Sequence, residues 1–194
     1  MFRKSSITEI RQSVVDRLKK AGKHLTYHNL AHTLDVTEQV GRIALAEGVA
    51  DDDMMLLQVA ALFHDIGYLD GPQNHEERGC QIFSNEASKW NFSPKEIEKV
   101  SRLIMATKVP QTPKDKLEEI ICDADLDYLG RADFFTLADG LKKEYLHFKI
   151  IKTEAEWEML QIAFLEKHRY FTKSSKKLRE PVKQKNQGLL NVNR

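Results

Sequence analysis

Val59-Ala60-Ala61-Leu62-Phe63-His64-Asp65-Ile66-Gly67-Tyr68 is an apolar run that ends abruptly in a histidine and an aspartate side by side. Burying either side chain beside Phe63 and Ile66 costs on the order of several kcal/mol unless it is paired, hydrogen-bonded or bound to a cation. A divalent metal meets that need, because imidazole and carboxylate are among the side-chain groups that most often ligate one. Most His-Asp pairs are incidental, so the meaning of this one depends on what else in the chain converges on it. The run reads as the end of a helix opened by Asp51-Asp52-Asp53, whose carboxylates suit a helix N-terminus. The turn signals Gly67 and Asp70-Gly71-Pro72 close it.

Outward from this segment the pattern stays helical. On the N-terminal side, Ser6-Ile7-Thr8-Glu9 has the form of a capping box, and Ile7, Ile10, Val14 and Leu18 repeat at helical spacing. A second helix opens near Tyr27-His28-Asn29 and carries His32, Val36, Val40, Ile43 and Ala44 along one stripe until Gly48. On the C-terminal side, helices are expected over residues 75–90, from Ser93-Pro94-Lys95-Glu96, over residues 117–125, over residues 132–151 and over residues 153–170. No period-2 alternation long enough for a sheet occurs, and no internal repeat. The expected fold class is all-α. One domain is expected over residues 1–172, followed by a basic polar tail, residues 173–194, with Lys173, Lys176, Lys177, Arg179, Lys183 and Lys185 set against Glu180.

A chain of 194 residues buries about 70% of the surface it exposes when unfolded, so a true core is expected. With 41% apolar and 30% charged residues and a formal net charge of +1, its bulk charge gives no reason to invoke nucleic acid or an anionic membrane. The N-terminus lacks the apolar segment of a signal peptide, and no run of about 18 apolar residues is present to span a bilayer, so the expected compartment is the cytoplasm. Cys80 and Cys122 are isolated in apolar helical contexts and read as small core residues.

The remaining signal lies in histidines and acids. His28 and His32 are four apart, on one face if both are helical, although His28 falls close to the helix start. His64-Asp65 begins 32 residues after His32, and Asp125 lies 60 residues after Asp65. Two imidazoles and two carboxylates from three helices form a mixed N/O set suited to an octahedral Mn, Fe, Co, Ni or Mg ion, or to Zn with open positions.

In these residues the chain resembles the HD-domain metal-dependent phosphohydrolases, of the small stand-alone bacterial type, named for an H…HD…D signature on a helical bundle. The resemblance spans residues 25–145 and implies His32, His64, Asp65 and Asp125 as metal ligands. Tyr27-His28-Asn29-Leu30-Ala31-His32-Thr33-Leu34-Asp35-Val36 is also similar to the YHNxxHxxDV motif of the cyclic-nucleotide phosphodiesterases, which implies His28 as the general acid. Within Asp123-Ala124-Asp125-Leu126-Asp127 the family pattern selects Asp125 as the ligand. Asp123, about 200° around a helix axis, is the fallback. Either Asp125 or Asp123 is then a candidate to take the proton of the attacking water. Related triphosphohydrolases carry a lysine where Leu126 stands, which weakens a triphosphate reading.

His75 matches a histidine of similar bacterial members and is a candidate substrate or second-metal contact. Met105-Ala106-Thr107-Lys108 supplies no further histidine, so a single tight metal site is favoured. Lys108, Arg78 and Arg131 are the basic residues nearest the motif in sequence and the candidate phosphate contacts. His24, His147 and His168 match no motif element and read as structural or surface residues. The resemblance implies hydrolysis of a phosphomonoester or phosphodiester in a small, nucleotide-like phosphorylated substrate. The rival readings are a di-iron oxygenase of the same fold and a catalytically silent nucleotide-sensing domain.

Overall fold

The helix that carries the apolar run, α3 (Asp51–Phe63), buries Leu56, Leu57 and all of residues 59–63. A helix apolar on every side has to sit inside the fold. In the computed structural model, which describes residues 7–192, α1 (Ile7–Leu18), α2 (Leu30–Ala46), α5 (Pro94–Ala106) and α6 (Lys116–Asp125) pack around it. Local chemistry fixes several of their ends. Asn29 caps α2 by accepting from the N–H groups of Ala31 and His32, and Ser93 and Glu96 form a reciprocal capping box before Pro94. Asp115 caps α6 by accepting from the Leu117 and Glu118 N–H groups, each at 3.0 Å. The capping box expected at Ser6 lies outside the described residues.

A 3-10 turn, Ile66–Asp70, follows α3 and leads to α4 (His75–Ala87). Another 3-10 turn, Asp127–Gly130, follows α6 and leads to α7 (Phe134–His147) and α8 (Glu154–Lys167). Tyr128, Phe134, Ala138, Trp157 and Leu165 make a second core there, separate from the one around α3. A cavity of about 980 Å³ runs along this second core and reaches the ends of α3 and α6. Among the described residues the chain is all-α, with nine α-helices and no strand, and no helix is long and apolar enough to cross a membrane.

Two expectations need correction. α8 stops at Lys167 instead of running to residue 170: His168 is extended, and Tyr170 is buried with its hydroxyl donating to the Leu126 carbonyl at 3.2 Å. Residues 173–192, expected as a basic polar tail either solvated or packed across the domain, instead form a regular helix, α9 (Lys173–Val192), packed on α8 and on the turn Asp127–Gly130. Polar side chains do the docking. Arg179 Nε donates to buried Asp127 at 2.8 Å, Lys183 is buried with Nζ donating to the His168 carbonyl at 2.8 Å, and Asn186 donates to the Leu129 and Arg131 carbonyls at 3.0 Å each. Gly130 permits the approach, since a Cβ there would lie 2.4 Å from the Arg179 carbonyl oxygen.

Asn186→Ala strands two buried carbonyls, a loss of about 1–3 kcal/mol. At about 2–4 °C per kcal/mol for a chain of this size, the midpoint of thermal unfolding should fall by roughly 2–10 °C, while the exposed control Lys185→Ala leaves it in place. Equal melting of both variants and wild type, followed by circular dichroism, would contradict the docking of α9.

Candidate metal centre

Three helix ends converge. The Asn29 cap starts α2 one turn before His32, α3 gives out at Phe63 and leaves His64 and Asp65 in the following turn, and α6 terminates at Asp125. His64 Nε2 lies 3.0 Å from Asp65 Oδ2, 3.4 Å from Asp125 Oδ1 and 3.3 Å from His32 Nε2. His32 Nε2 is 3.2 Å from Asp65 Oδ2 and 3.5 Å from Asp125 Oδ1. Ligands about 2.0–2.2 Å from a common ion are separated by about 3.0 Å at right angles and about 3.4 Å at tetrahedral angles. The observed spacings fall at or near those values, and among the described residues this is the one group of three or more His, Cys, Asp or Glu side chains so placed.

The tautomers agree with that fit. His64 Nδ1 lies 2.8 Å from the Ala61 carbonyl, so it donates there and leaves the Nε2 lone pair facing the cluster. Burial disfavours the charged forms of His32 and His64, but the carboxylates of Asp65 and Asp125 outweigh it and raise both imidazole pKa values. Burial likewise works against ionised Asp65 and Asp125, and the facing imidazoles hold both below the ordinary carboxylate range. Without a cation the histidines therefore take up protons to balance two buried carboxylates. The donor set fits a divalent ion, which would replace those protons.

Around the cluster lie groups with other duties. His28 falls before α2, not within it, because Asn29 is the cap; its Nδ1 makes a short bond to buried Glu144 of α7, whose other oxygen accepts from the Tyr27 and His28 N–H groups at 3.0 and 3.1 Å. The His28 ring stacks on Tyr68 with centroids 3.7 Å apart, and its Nε2 is 3.9 Å from Asp65 Oδ2. Burial pushes the Glu144 pKa up, but the bonds from His28 and the two N–H groups prevail and keep it low. His75 Nδ1 bonds to the Pro72 carbonyl at 2.9 Å, and its Nε2 is 3.3 Å from the other oxygen of Asp65. Gly67 makes this possible: a Cβ there would sit 2.1 Å from the His75 carbonyl oxygen. Gln111 Nε2 donates to Asp125 Oδ2 at 3.1 Å.

Several expected roles do not survive the geometry. Asp123 faces away from the cluster: its carboxylate accepts from Phe171 N, Thr172 N and Thr172 Oγ1 at 2.7–2.8 Å, which ties α6 to the start of α9 and leaves no approach for a reacting water. Arg78 is turned to the carbonyls of Gly67, Gly71 and Gln73 and shapes the turn after α3. Arg131 is shared among Asp35, Asp133 and Asp127. Both guanidinium groups are committed elsewhere and are withdrawn as phosphate contacts. Lys108 lines the cavity and pairs with half-buried Glu77. Glu144, Tyr68 and Gln111 went unread in the sequence. Glu144 did carry a signal: it lies on the same helical stripe as Phe134, Ala138 and Leu141, where an acid has to find a buried partner.

Raised His32 and His64 pKa values mean that protons compete with the ion at and above pH 6.5, the ordinary imidazole value, and more strongly as pH falls. The apparent affinity of metal-stripped protein for Mn²⁺ or Zn²⁺, measured by titration calorimetry, should drop progressively between about pH 8 and about pH 6, with protons released on binding. An affinity that stays flat over that interval would contradict the proposed ligand set.

No curated protein matches the chain significantly. The crystal structure of a predicted HD superfamily hydrolase from an uncultured Thermotogales bacterium superimposes with a TM-score of 0.63 at 21% sequence identity, over 95% of this chain and 89% of that one. That likeness shows the shared fold. The family described as HD domain matches residues 29–127, about half of the chain, which includes His32, His64, Asp65 and Asp125. With these residues gathered at three helix ends, the chain belongs to the HD-domain family.

Proposed function

We infer that the protein is a metal-dependent phosphohydrolase that cleaves a phosphomonoester or phosphodiester bond in a small, nucleotide-like substrate, with no membrane or nucleic-acid partner. The observation that carries this reading is the pairing of a four-ligand cluster with an independently held imidazole, His28, 3.9 Å from the ligand Asp65. His32, His64, Asp65 and Asp125 would hold the ion, which when bound polarises a phosphoryl oxygen and acidifies a water.

The remaining chemistry falls to the protein's own groups. Glu144 accepts from His28 Nδ1–H and so fixes the ring with Nε2 toward the cluster, where it can carry the proton to be donated. Asp125 presents Oδ1 to the imidazoles, and Oδ2, which accepts one hydrogen bond from Gln111, keeps a second lone pair to take the proton of the attacking water. As the new P–O bond forms and the ester P–O bond breaks, His28 Nε2 gives its proton to the departing alkoxide and keeps Nδ1–H on Glu144. Tyr68, stacked on the His28 ring, holds that ring's plane, and His75 and Lys108 supply positive charge to the non-bridging oxygens from the cavity wall.

His64→Ala should abolish hydrolysis of a generic phosphodiester in the presence of added metal. His28→Ala should slow a substrate with a poor alkoxide leaving group by about 10²–10⁴-fold, and a nitrophenyl ester, which leaves without protonation, far less. Equal losses on both substrates would contradict the general-acid role. Tight nucleotide binding with no turnover across a broad phosphoester panel would favour a sensing domain instead.

A further inference from the structure

Asp125 is held by unlike neighbours on its two oxygens. Oδ1 faces the ligand nitrogens, 3.4 Å from His64 Nε2 and 3.5 Å from His32 Nε2, while Oδ2 accepts from Gln111 Nε2 at 3.1 Å. That donor comes from a different part of the chain. Gln111 stands in the connection between α5 and α6, close to Pro110 and Pro113, whose rings limit the backbone on either side of it.

The Gln111 amide has one workable orientation. Its Nε2 also lies 3.4 Å from the Thr107 carbonyl, and an ionised carboxylate and a carbonyl can only accept. Turning the amide over would set Oε1 against two acceptors, so the nitrogen faces them. Thr107 is itself fixed, since it is buried and its hydroxyl donates to the Ile104 carbonyl at 2.8 Å. Nearby, Cys122 Sγ donates to the Ala106 carbonyl at 3.1 Å and joins the end of α5 to α6 one turn before Asp125. The donor is therefore anchored on the same scaffold as the carboxylate it meets.

A carboxylate can bind a divalent ion through one oxygen or through both. The contacts of His32 and His64 select Oδ1, but the torsion that turns an aspartate carboxylate is soft and leaves Oδ2 able to swing in. A hydrogen bond to Oδ2 opposes that swing, because Oδ2 would have to give up the Gln111 N–H to reach the ion. We propose that Gln111 is a positioning residue that attaches Asp125 to the ion through Oδ1 alone and keeps Oδ2 off it. The role deepens the phosphohydrolase reading and rests on it in one point, that the free Oδ2 takes the proton of the attacking water.

The manner of attachment is read from crystals of the full chain grown with Mn²⁺. In the wild type Oδ1 should lie about 2.0–2.2 Å from the ion and Oδ2 about 3 Å away or farther, still bonded to Gln111. Gln111→Met keeps the length of the side chain and removes the donor, and should bring both oxygens within about 2.5 Å. Gln111→Glu, which sets an acceptor where the donor stood, should do the same. Two oxygens on the ion in the wild type, or one oxygen still in a folded variant, overturns the proposal, and the first of these results needs no variant. In solution, Gln111→Met should bind Mn²⁺ at least as tightly as wild type by calorimetry, while kcat on a generic phosphodiester falls about 10- to 100-fold with KM little changed. The exposed neighbour Thr112→Ala should alter neither. Weaker Mn²⁺ binding by Gln111→Met together with a lower melting temperature marks a merely structural part and also overturns the proposal. The two claims fail separately. No turnover by the wild type, with the two attachments as expected, defeats the hydrolase reading and leaves the role of Gln111 standing. Two-oxygen attachment with undiminished kcat defeats only the proton-accepting part of Oδ2.

Discussion

Two carboxylates and two imidazoles, with separations from the imidazole nitrogens between 3.0 and 3.5 Å, meet at the end of a helix whose last five residues, 59–63, are all buried. Such a cluster is unfavourable unless its charges are balanced, since ionised groups removed from water retain their repulsions at full strength. Protons on His32 and His64 balance it in the absence of metal, and a divalent ion balances it better. Much of the structure serves to hold the four groups in place against that cost. Each sits at or near a helix end, where the backbone can turn, while apolar residues immediately before it, such as Leu62 and Phe63 or Ile121 and Ala124, are locked in the core.

Holding Asp125 requires more than α6. Two residues earlier, Asp123 is tied by three hydrogen bonds to residues 171 and 172, and two residues later Asp127 pairs with Arg42 of α2 and Arg179 of α9. Alternate acids along one segment thus face opposite ways, one toward the cluster and two toward the scaffold. Through Asp123 and Asp127 the C-terminal helix braces the last ligand, which connects the stability of α9 to the metal centre. On the other side, Glu144 reaches from α7 to His28 and links the second core to the chemistry of the first.

Eight of the nine helices among the described residues were legible because the apolar spacing and the capping residues at 93 and 153 carry them directly. The clustering of His32, His64, Asp65 and Asp125 was legible because they occur together, in order, with the family's spacing. What could not be read had a common cause. Arg78 and Arg131 stand near the motif in sequence, but carbonyls and carboxylates brought up by folding occupy them. Asp123 looks like Asp125 until residues 171 and 172 arrive. α9 was missed because it docks through Arg179, Lys183 and Asn186, which apolar periodicity cannot register.

The central claim is that these four side chains, and not His75 with Glu76 or another acidic site, hold the ion. Anomalous diffraction from crystals of the full chain grown with Mn²⁺, recorded at two wavelengths spanning the manganese edge, tests it most directly. The account predicts one strong peak per chain within about 2.0–2.2 Å of His32 Nε2, His64 Nε2, Asp65 Oδ2 and Asp125 Oδ1. A well-ordered cluster with no peak, or a peak only elsewhere on the chain, would contradict it.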